Sequence, residues 1–347
     1  MSWKKPRIAV IGAGAVGGIS AAFIRQAGYD VEIVCKYQDL ASRINEQGIG
    51  VHGVRGEHRV GMPAVAEIGE LRGDRDLFLL ATKATDMLPA AKAILPLLTD
   101  ETRVVSMQNG ICEEALAAVV GKEQTIGCVV EWGATMRSSG ELEMTSEGEF
   151  VIGTIDGRDD PRLETIKAIL DNVVPAKISR NMMGSLYAKL IVNSCITSLG
   201  AVCGLYMGQM LADRKIRNIF LAIMREAMAV ADAMDLHVET IGGKLNYYRF
   251  MAGEGMLAQM RRHLMIRLIG FKYRRLKSSS LQSLERGKPT EIDYLNGYIA
   301  AKGREYGVPT PVNDKVIQMI KEIEAGTREI SPENFDEFHG PPFDYLR

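Results

Sequence analysis

One stretch near the N-terminus restricts the fold of this chain more than any other: Arg7-Ile-Ala-Val-Ile-Gly-Ala-Gly-Ala-Val-Gly-Gly18. Ile8 to Ile11 is a short apolar run rich in β-branched side chains, the pattern of a central parallel strand buried on both faces. Gly12, Gly14 and Gly17 follow at G-x-G-x-x-G spacing, and Gly18 to Ala27 reads as an amphipathic helix closed by Gly28. In such a turn the first glycine permits the sharp bend. The second lets the backbone approach a pyrophosphate, and the third lets helix and strand pack closely. The helix N-terminus adds free N–H groups and a partial positive charge. Gly12, Ala13, Gly14, Ala15, Val16 and Gly17 are therefore expected to bind a nucleotide cofactor. A purely structural glycine turn in another α/β protein is the alternative.

Strand two is expected over Asp30 to Cys35. An NAD-binding chain usually carries an acid at the end of this strand to hold the ribose hydroxyls. Here the end is Cys35-Lys36-Tyr37, and Glu32 comes too early. Lys36 suits a 2′-phosphate, which favours NADP(H) over NAD(H); a solvated surface lysine is the other reading. Two further strands, Asp76 to Thr82 and Arg103 to Met107, run into Lys83 and into Gln108-Asn109-Gly110. Both would end at the carboxyl edge of the sheet, where ligands bind in open α/β folds. Gly48 to Gly56 reads as an irregular strand pair, and Gly140 to Thr154 as a β-hairpin.

At 347 residues the chain is long enough for two domains. The pattern changes near Lys177, from alternating strands and helices to helices alone. The expected domains are 1–178, an α/β Rossmann-type cofactor domain, and 179–347, all-helical. A formal net charge of -1 leaves no nucleic-acid footprint. The five scattered cysteines form no C-x-x-C pair and the five histidines show no metal-ligand spacing, so no metal is expected and free thiols in a reducing cytoplasm are. No signal peptide and no apolar run of membrane-spanning length are read, so no membrane association is expected.

In the second half, Leu186 to Leu199 is a mostly apolar helix on which Lys189 and Asn193 share one face, with Thr197 a turn further. A lysine in such a helix is costly to bury unless its head reaches a cleft; the other reading is a lysine snorkelling to solvent. Thr290, Glu291, Asp293 and Asn296 are expected to open a helix as caps and first-turn acids. Met260 to Lys277 is basic and apolar together. It could form a pocket wall, a homodimer contact, a membrane-surface helix or a solvated face.

The motifs Gly12-Ala-Gly-Ala-Val-Gly-Gly18, Ala81-Thr-Lys-Ala84, Gln108-Asn-Gly110, Lys189-Leu-Ile-Val-Asn193, Ser278-Ser-Ser-Leu-Gln282, Thr290-Glu-Ile-Asp-Tyr-Leu-Asn-Gly297 and Gly307-Val-Pro-Thr-Pro-Val312, in this order, resemble the ketopantoate reductase (2-dehydropantoate 2-reductase) family. The resemblance implies a Rossmann domain followed by a helical domain similar to the C-terminal domain of 6-phosphogluconate dehydrogenase. It also implies an active site in the cleft between them. The implied reaction is NADPH-dependent reduction of a 2-keto acid, ketopantoate to pantoate on the way to pantothenate and coenzyme A. By the same resemblance Lys189 is the general acid. Lys36, Lys83, Asn109, Glu291 and the backbone near Met136 contact the cofactor. Asn109, Asn193, Thr197 and Ser279 contact the substrate. Two positions depart from the family pattern: Thr197 and Met207 stand where asparagines are common. A different, more apolar 2-oxo acid, or a non-catalytic NADP(H)-sensing protein on the same fold, are the alternatives. The tail from Arg328 reads as an extension packed on the surface or on a second subunit.

Overall fold

The protein was analysed as a computed structural model that describes residue 3 and residues 5–344. It divides into two compact units, residues 1–186 and 187–347.

Among the described residues the first unit carries twelve strands: β1 (Arg7–Ile11), β2 (Asp30–Val34), β3 (Ile49–Gly53), β4 (His58–Val60), β5 (Ala64–Val65), β6 (Leu77–Leu80), β7 (Arg103–Ser106), β8 (Thr125–Val130), β9 (Gly133–Ser138), β10 (Glu141–Ser146), β11 (Phe150–Thr154) and β12 (Ala176–Ile178). Its helices are α1 (Ala15–Gln26), α2 (Gln38–Gln47), α3 (Ala84–Ile94), α4 (Glu113–Val120) and α5 (Leu163–Leu170). Eight strands form one sheet in the order β12-β11-β8-β7-β6-β1-β2-β5. β1 pairs parallel with β2 on one side and β6 on the other, so that Ile11 lies level with both Val34 and Leu80. The chain order therefore reverses at β1, the kind of switch point at whose strand carboxyl ends open α/β sheets bind ligands. β6, β7 and β8 are buried throughout, as apolar runs in a doubly covered parallel sheet should be.

Two expectations need correction. Helix α1 begins at Ala15 rather than Gly18, so Gly17 and Gly18 lie inside it. The hairpin expected over Gly140 to Thr154 does not form. β10 pairs with β9 and β3 in a separate four-stranded sheet, while β11 pairs antiparallel with β8 in the main sheet. Both strands alternate in sequence, but their polar residues have different roles. Glu141 pairs with His52 and Arg59 across the small sheet, which holds its carboxyl down at about 2, whereas β11 is almost wholly buried.

The second unit is helical: α6 (Met182–Cys203, whose first turns belong to the first unit), α7 (Met207–Ala212), α8 (Arg214–Ala233), α9 (Tyr247–Met251), α10 (Gly255–Lys272), α11 (Ser279–Glu285), α12 (Asn296–Tyr306) and α13 (Pro311–Glu324). Contrary to the sequence expectation, α6 is long and apolar enough to cross a membrane, yet 78% of its apolar window is buried. It is a core helix.

A buried polar network pins α6 in place. Asn296, expected as a helix-opening cap, is fully buried. Its amide donates to the Ser194 carbonyl at 3.3 Å and to Asn313 Oδ1 at 2.8 Å, and its Oδ1 accepts from the Ser198 hydroxyl. Glu226 of α8 accepts from the Val312 and Asn313 backbone N–H groups at 2.8 and 2.9 Å and from the Asn313 amide at 2.6 Å. Its carboxylate thus sits on the first turn of α13, where partial positive charge favours it, although burial pushes its pKa up. Glu226→Ala strips three donors of their acceptor. We expect about 2 kcal/mol or more of lost stability in urea unfolding.

The tail folds back on its own unit. Ser331 N–H donates to the Val202 carbonyl at 3.0 Å, Phe335 is buried, and Arg328 bridges Glu322 and Glu337. Residues 345–347 lie outside the described residues.

Candidate active site

The glycine turn has the geometry that its sequence demands. Gly12 has φ +111°, and a Cβ there would come within 2.9 Å of the Ala81 backbone. A Cβ on Gly17 would overlap the Gly12 carbonyl oxygen and approach Ala81 Cβ at 2.7 Å. Gly14 differs: nothing lies within 4 Å of its Cβ position. It is the N-cap of α1 and supplies no side-chain acceptor to the first-turn N–H groups.

Two more loops are stitched to this turn. Gln108 is buried at the end of β7; its amide donates to the Leu80 carbonyl at 2.9 Å and to Thr82 Oγ1 at 3.3 Å, and it accepts from the Ser106 hydroxyl at 2.8 Å. This fixes the loop at 108–110 beside the loop at 81–83. Lys83 is the exposed N-cap residue of α3, and Asn109 is half-buried. The Gln108 side chain thus ties together the backbones that carry two of the expected contact residues. Glu113 opens α4 just beyond. Burial pushes its pKa up to about 7 against the pull of the Glu113 and Cys112 N–H groups.

Lys36 follows β2, whose Val34 carbonyl accepts from the Gly12 N–H at 2.9 Å. Its ammonium donates to Asp86 Oδ2 in the first turn of α3 at 3.0 Å, and this partner raises its pKa. The Lys36 side chain is largely exposed and that of Asp86 about half so. Met136 lies on β9 of the small sheet, paired with Leu142 and partly exposed.

In the second unit, Lys189, Val192, Asn193 and Ile196 form a half-buried stripe on α6, with the residues on either side buried. Their 3–4 spacing is that of one helix face. Thr197 sits at the buried end of this stripe. A turn beyond, at Gly200, a Cβ would meet the Ser278 hydroxyl at 2.8 Å. Ser278, rather than Ser279, caps α11 by accepting from the Leu281 N–H at 3.1 Å, which leaves Ser279 exposed on the first turn. The strap before α11 is tied to α7, since Met207 N–H donates to the Leu276 carbonyl at 3.0 Å. Met207 itself is buried. Glu291 is half-buried ahead of the 3-10 turn Ile292–Tyr294. Thr290 donates to Glu324 at 2.7 Å and accepts from Ile292 N–H at 3.2 Å.

Two family models match the chain, "Ketopantoate reductase PanE/ApbA" over residues 8–157 and "Ketopantoate reductase PanE/ApbA C terminal" over residues 181–324. The chain belongs to the ketopantoate reductase family. Among similar proteins, the 2-dehydropantoate 2-reductase of Archaeoglobus fulgidus is 28% identical, with 92% of this chain and 98% of that one covered. That of Mesorhizobium japonicum is 27% identical, with 91% and 97% covered. A PanE/ApbA family ketopantoate reductase from Ralstonia eutropha JMP134 superimposes with a TM-score of 0.79 at 27% identity, covering 95% of this chain and all of that one. A D-mandelate dehydrogenase solved with NADH and anilino(oxo)acetate shares the fold, with a TM-score of 0.79 at 22% identity and 94% and 99% covered.

The protein is thus an oxidoreductase of the 2-dehydropantoate 2-reductase type. Its glycine turn fits the family's nicotinamide cofactor, because the one open Cβ position of the three motif glycines is where a pyrophosphate must approach. Sequence reasoning missed Asn313, which bonds to Asn296, and Glu226, which bonds to Asn313. It also missed the bracing role of Gln108. An acid on the apolar face of α8, between Ile223 and Ala227, was the available signal for Glu226.

Proposed function

We propose that this chain reduces ketopantoate to pantoate with NADPH, as a cytoplasmic step toward pantothenate and coenzyme A. The observation that carries this is the Lys189–Asn193 stripe on an otherwise buried helix, held by the Asn296 network. When bound, NADPH supplies the hydride that reaches the keto carbon. Gly14 and the first turn of α1 receive its pyrophosphate, Lys36 its 2′-phosphate, and Lys83, Asn109, Glu291 and the backbone near Met136 its other groups. Lys189 donates a proton to the developing alkoxide and stabilises that charge before the proton moves. Asn193 and Asn109 orient the keto acid by hydrogen bonds, and Ser279 holds its carboxylate. Turnover requires Lys189 and the nicotinamide to meet. The five cysteines, all buried and none in a disulfide among the described residues, suit a reducing compartment.

Lys36→Ala is expected to raise KM for NADPH about tenfold and to leave that for NADH almost unchanged, because only the former carries the phosphate. Equal effects on both cofactors would assign Lys36 to its Asp86 pair alone.

A second reading concerns substrate. Met207 is buried and offers a thioether where an amide could donate, and Thr197 is shorter than asparagine. These residues support a 2-keto acid with an apolar tail. NADPH oxidation with a panel of keto acids separates the readings. Higher kcat/KM with ketopantoate supports the first, and higher kcat/KM with a branched or aromatic 2-keto acid supports the second. Cofactor binding with no turnover on any of them contradicts both and leaves an NADP(H) sensor.

A further inference from the structure

A cavity of about 1250 Å³ opens between α8 and α10, with no residue of α6 in its lining. α8 contributes Arg214, Arg217 and Arg225, and α10 contributes Arg262, His263 and Arg267. The carboxylates in the lining are Asp232 and Glu254. None of the five arginines has a carboxylate within 4.0 Å among the described residues. This sets them apart from Arg75, Arg103 and Arg328, each paired with an acid.

Two of the five are more than nine-tenths buried, Arg217 at 8% and Arg262 at 6% exposure. They form the base of the cavity. Arg217 Nη1 donates to the Leu211 and Ala212 carbonyls at 2.8 and 2.7 Å. Arg262 Nη2 donates to the Met251 and Ala252 carbonyls at 2.6 and 3.1 Å and to that of Gly253. These carbonyls orient the guanidiniums without cancelling their charge. Burial and the neighbouring Arg267 lower the pKa of Arg217; burial and Arg225 lower that of Arg262. Arg217 Nε donates to His263 Nδ1 at 3.1 Å, which requires a neutral imidazole with its proton on Nε2. Burial and the surrounding arginines keep it neutral by pushing its pKa below the usual value.

Like charges gathered in a partly desolvated groove repel, and a bound anion removes that cost. The guanidinium fork also matches phosphate and carboxylate oxygens. The wall between the charges is apolar, made by Met228, Met260 and Leu264. We propose that this cavity is a second binding site, for an organic polyanion bearing two or more phosphate or carboxylate groups on an apolar body. Arg214, Arg225 and Arg267 would grip the oxyanions, with Arg217 and Arg262 beneath them.

The test uses full-length protein saturated with NADPH, so that the glycine turn is filled, with carbon-13 in the histidine rings. Inorganic tripolyphosphate and citrate are titrated separately while His263 is followed by NMR, its signal assigned by its loss in His263→Asn. The expected result is a saturable shift of His263 with at least one probe, a raised His263 pKa in the complex, and binding weakened about tenfold or more in Arg225→Gln/Arg267→Gln. NADPH affinity should be unchanged in that variant. Arg267→Gln alone, at an exposed position, serves if the double variant does not fold. Response to tripolyphosphate alone assigns a phosphate ligand, and response to citrate alone a polycarboxylate. A His263 signal unmoved by either probe, or equal affinity in the arginine variants, overturns the site.

Discussion

Lys189→Ala should lower the rate of keto acid reduction in a single turnover by about 10²–10⁴-fold, the usual worth of a positioned proton donor that also faces a developing oxyanion. The fold should survive. Lys189 is half-buried on a stripe shared with Asn193, while α6 is held by its other faces through Ser194, Ser198 and the Asn296 network. The melting temperature is therefore expected to stay within about 4 °C of wild type, and NADPH should bind as before. Asn193→Ala is the informative companion. On the proposed reading it removes a substrate hydrogen bond but not the acid, so it should raise KM more than it lowers kcat. A Lys189→Ala enzyme with an unchanged single-turnover rate would remove Lys189 from the chemistry.

The second large effect is expected at the glycine turn, where two substitutions of the same size should fail in different ways. Gly14→Ala adds a methyl group to open space at an ordinary negative φ of −74°, so the fold should be unaffected. If the pyrophosphate takes that space, as proposed, NADPH affinity should fall about tenfold or more. Gly17→Ala drives a methyl into the Gly12 carbonyl oxygen and the Ala81 side chain. It must push α1 off β1, at a cost of about 1–3 kcal/mol of stability, as overpacking usually does. Thermal melts with and without NADPH distinguish the two. Gly14→Ala should keep the apo melting temperature and lose the cofactor-induced rise, whereas Gly17→Ala should lower the apo value. A Gly14→Ala protein with full NADPH affinity would mean that the open Cβ position is not the phosphate cradle.

What the sequence reveals depends on how local the causes are. β1, the glycine turn and the start of α1 are legible because the strand is a buried apolar run and each glycine has a steric reason within a few residues or in the adjoining strand. β6 and β7 are legible for the same reason, and their ends point directly to Lys83 and Asn109. The stripe on α6 can be read from the four-residue spacing of Lys189 and Asn193 in an apolar helix. The 140–154 region is misread because alternation tells which face of a strand is buried but not which sheet it joins. Pairing of β11 with β8 and of β10 with β3 joins segments far apart in the chain. Asn296 looks like a cap because an asparagine at a helix start usually is one. Its partners, Ser194, Ser198 and Asn313, come from two other helices, and nothing near Asn296 in the chain announces them. The basic stretch from Met260 to Lys277 leaves a pocket wall, a homodimer contact, a membrane-surface helix and a solvated face all open for a related reason: its arginines meet those of α8 across the cavity. That they lack acidic partners is visible only once the helices are side by side.

The most direct test of the central claim is isotopic. Wild-type protein and Lys189→Met are each mixed with ketopantoate and NADPH carrying deuterium at both nicotinamide C4 positions, and the product is read by mass spectrometry. The account predicts pantoate with one deuterium on C2 from the wild type and, over the same interval, almost none from the variant. Unlabelled pantoate, labelled pantoate formed equally fast by Lys189→Met, or no pantoate from a wild type that binds NADPH would contradict it.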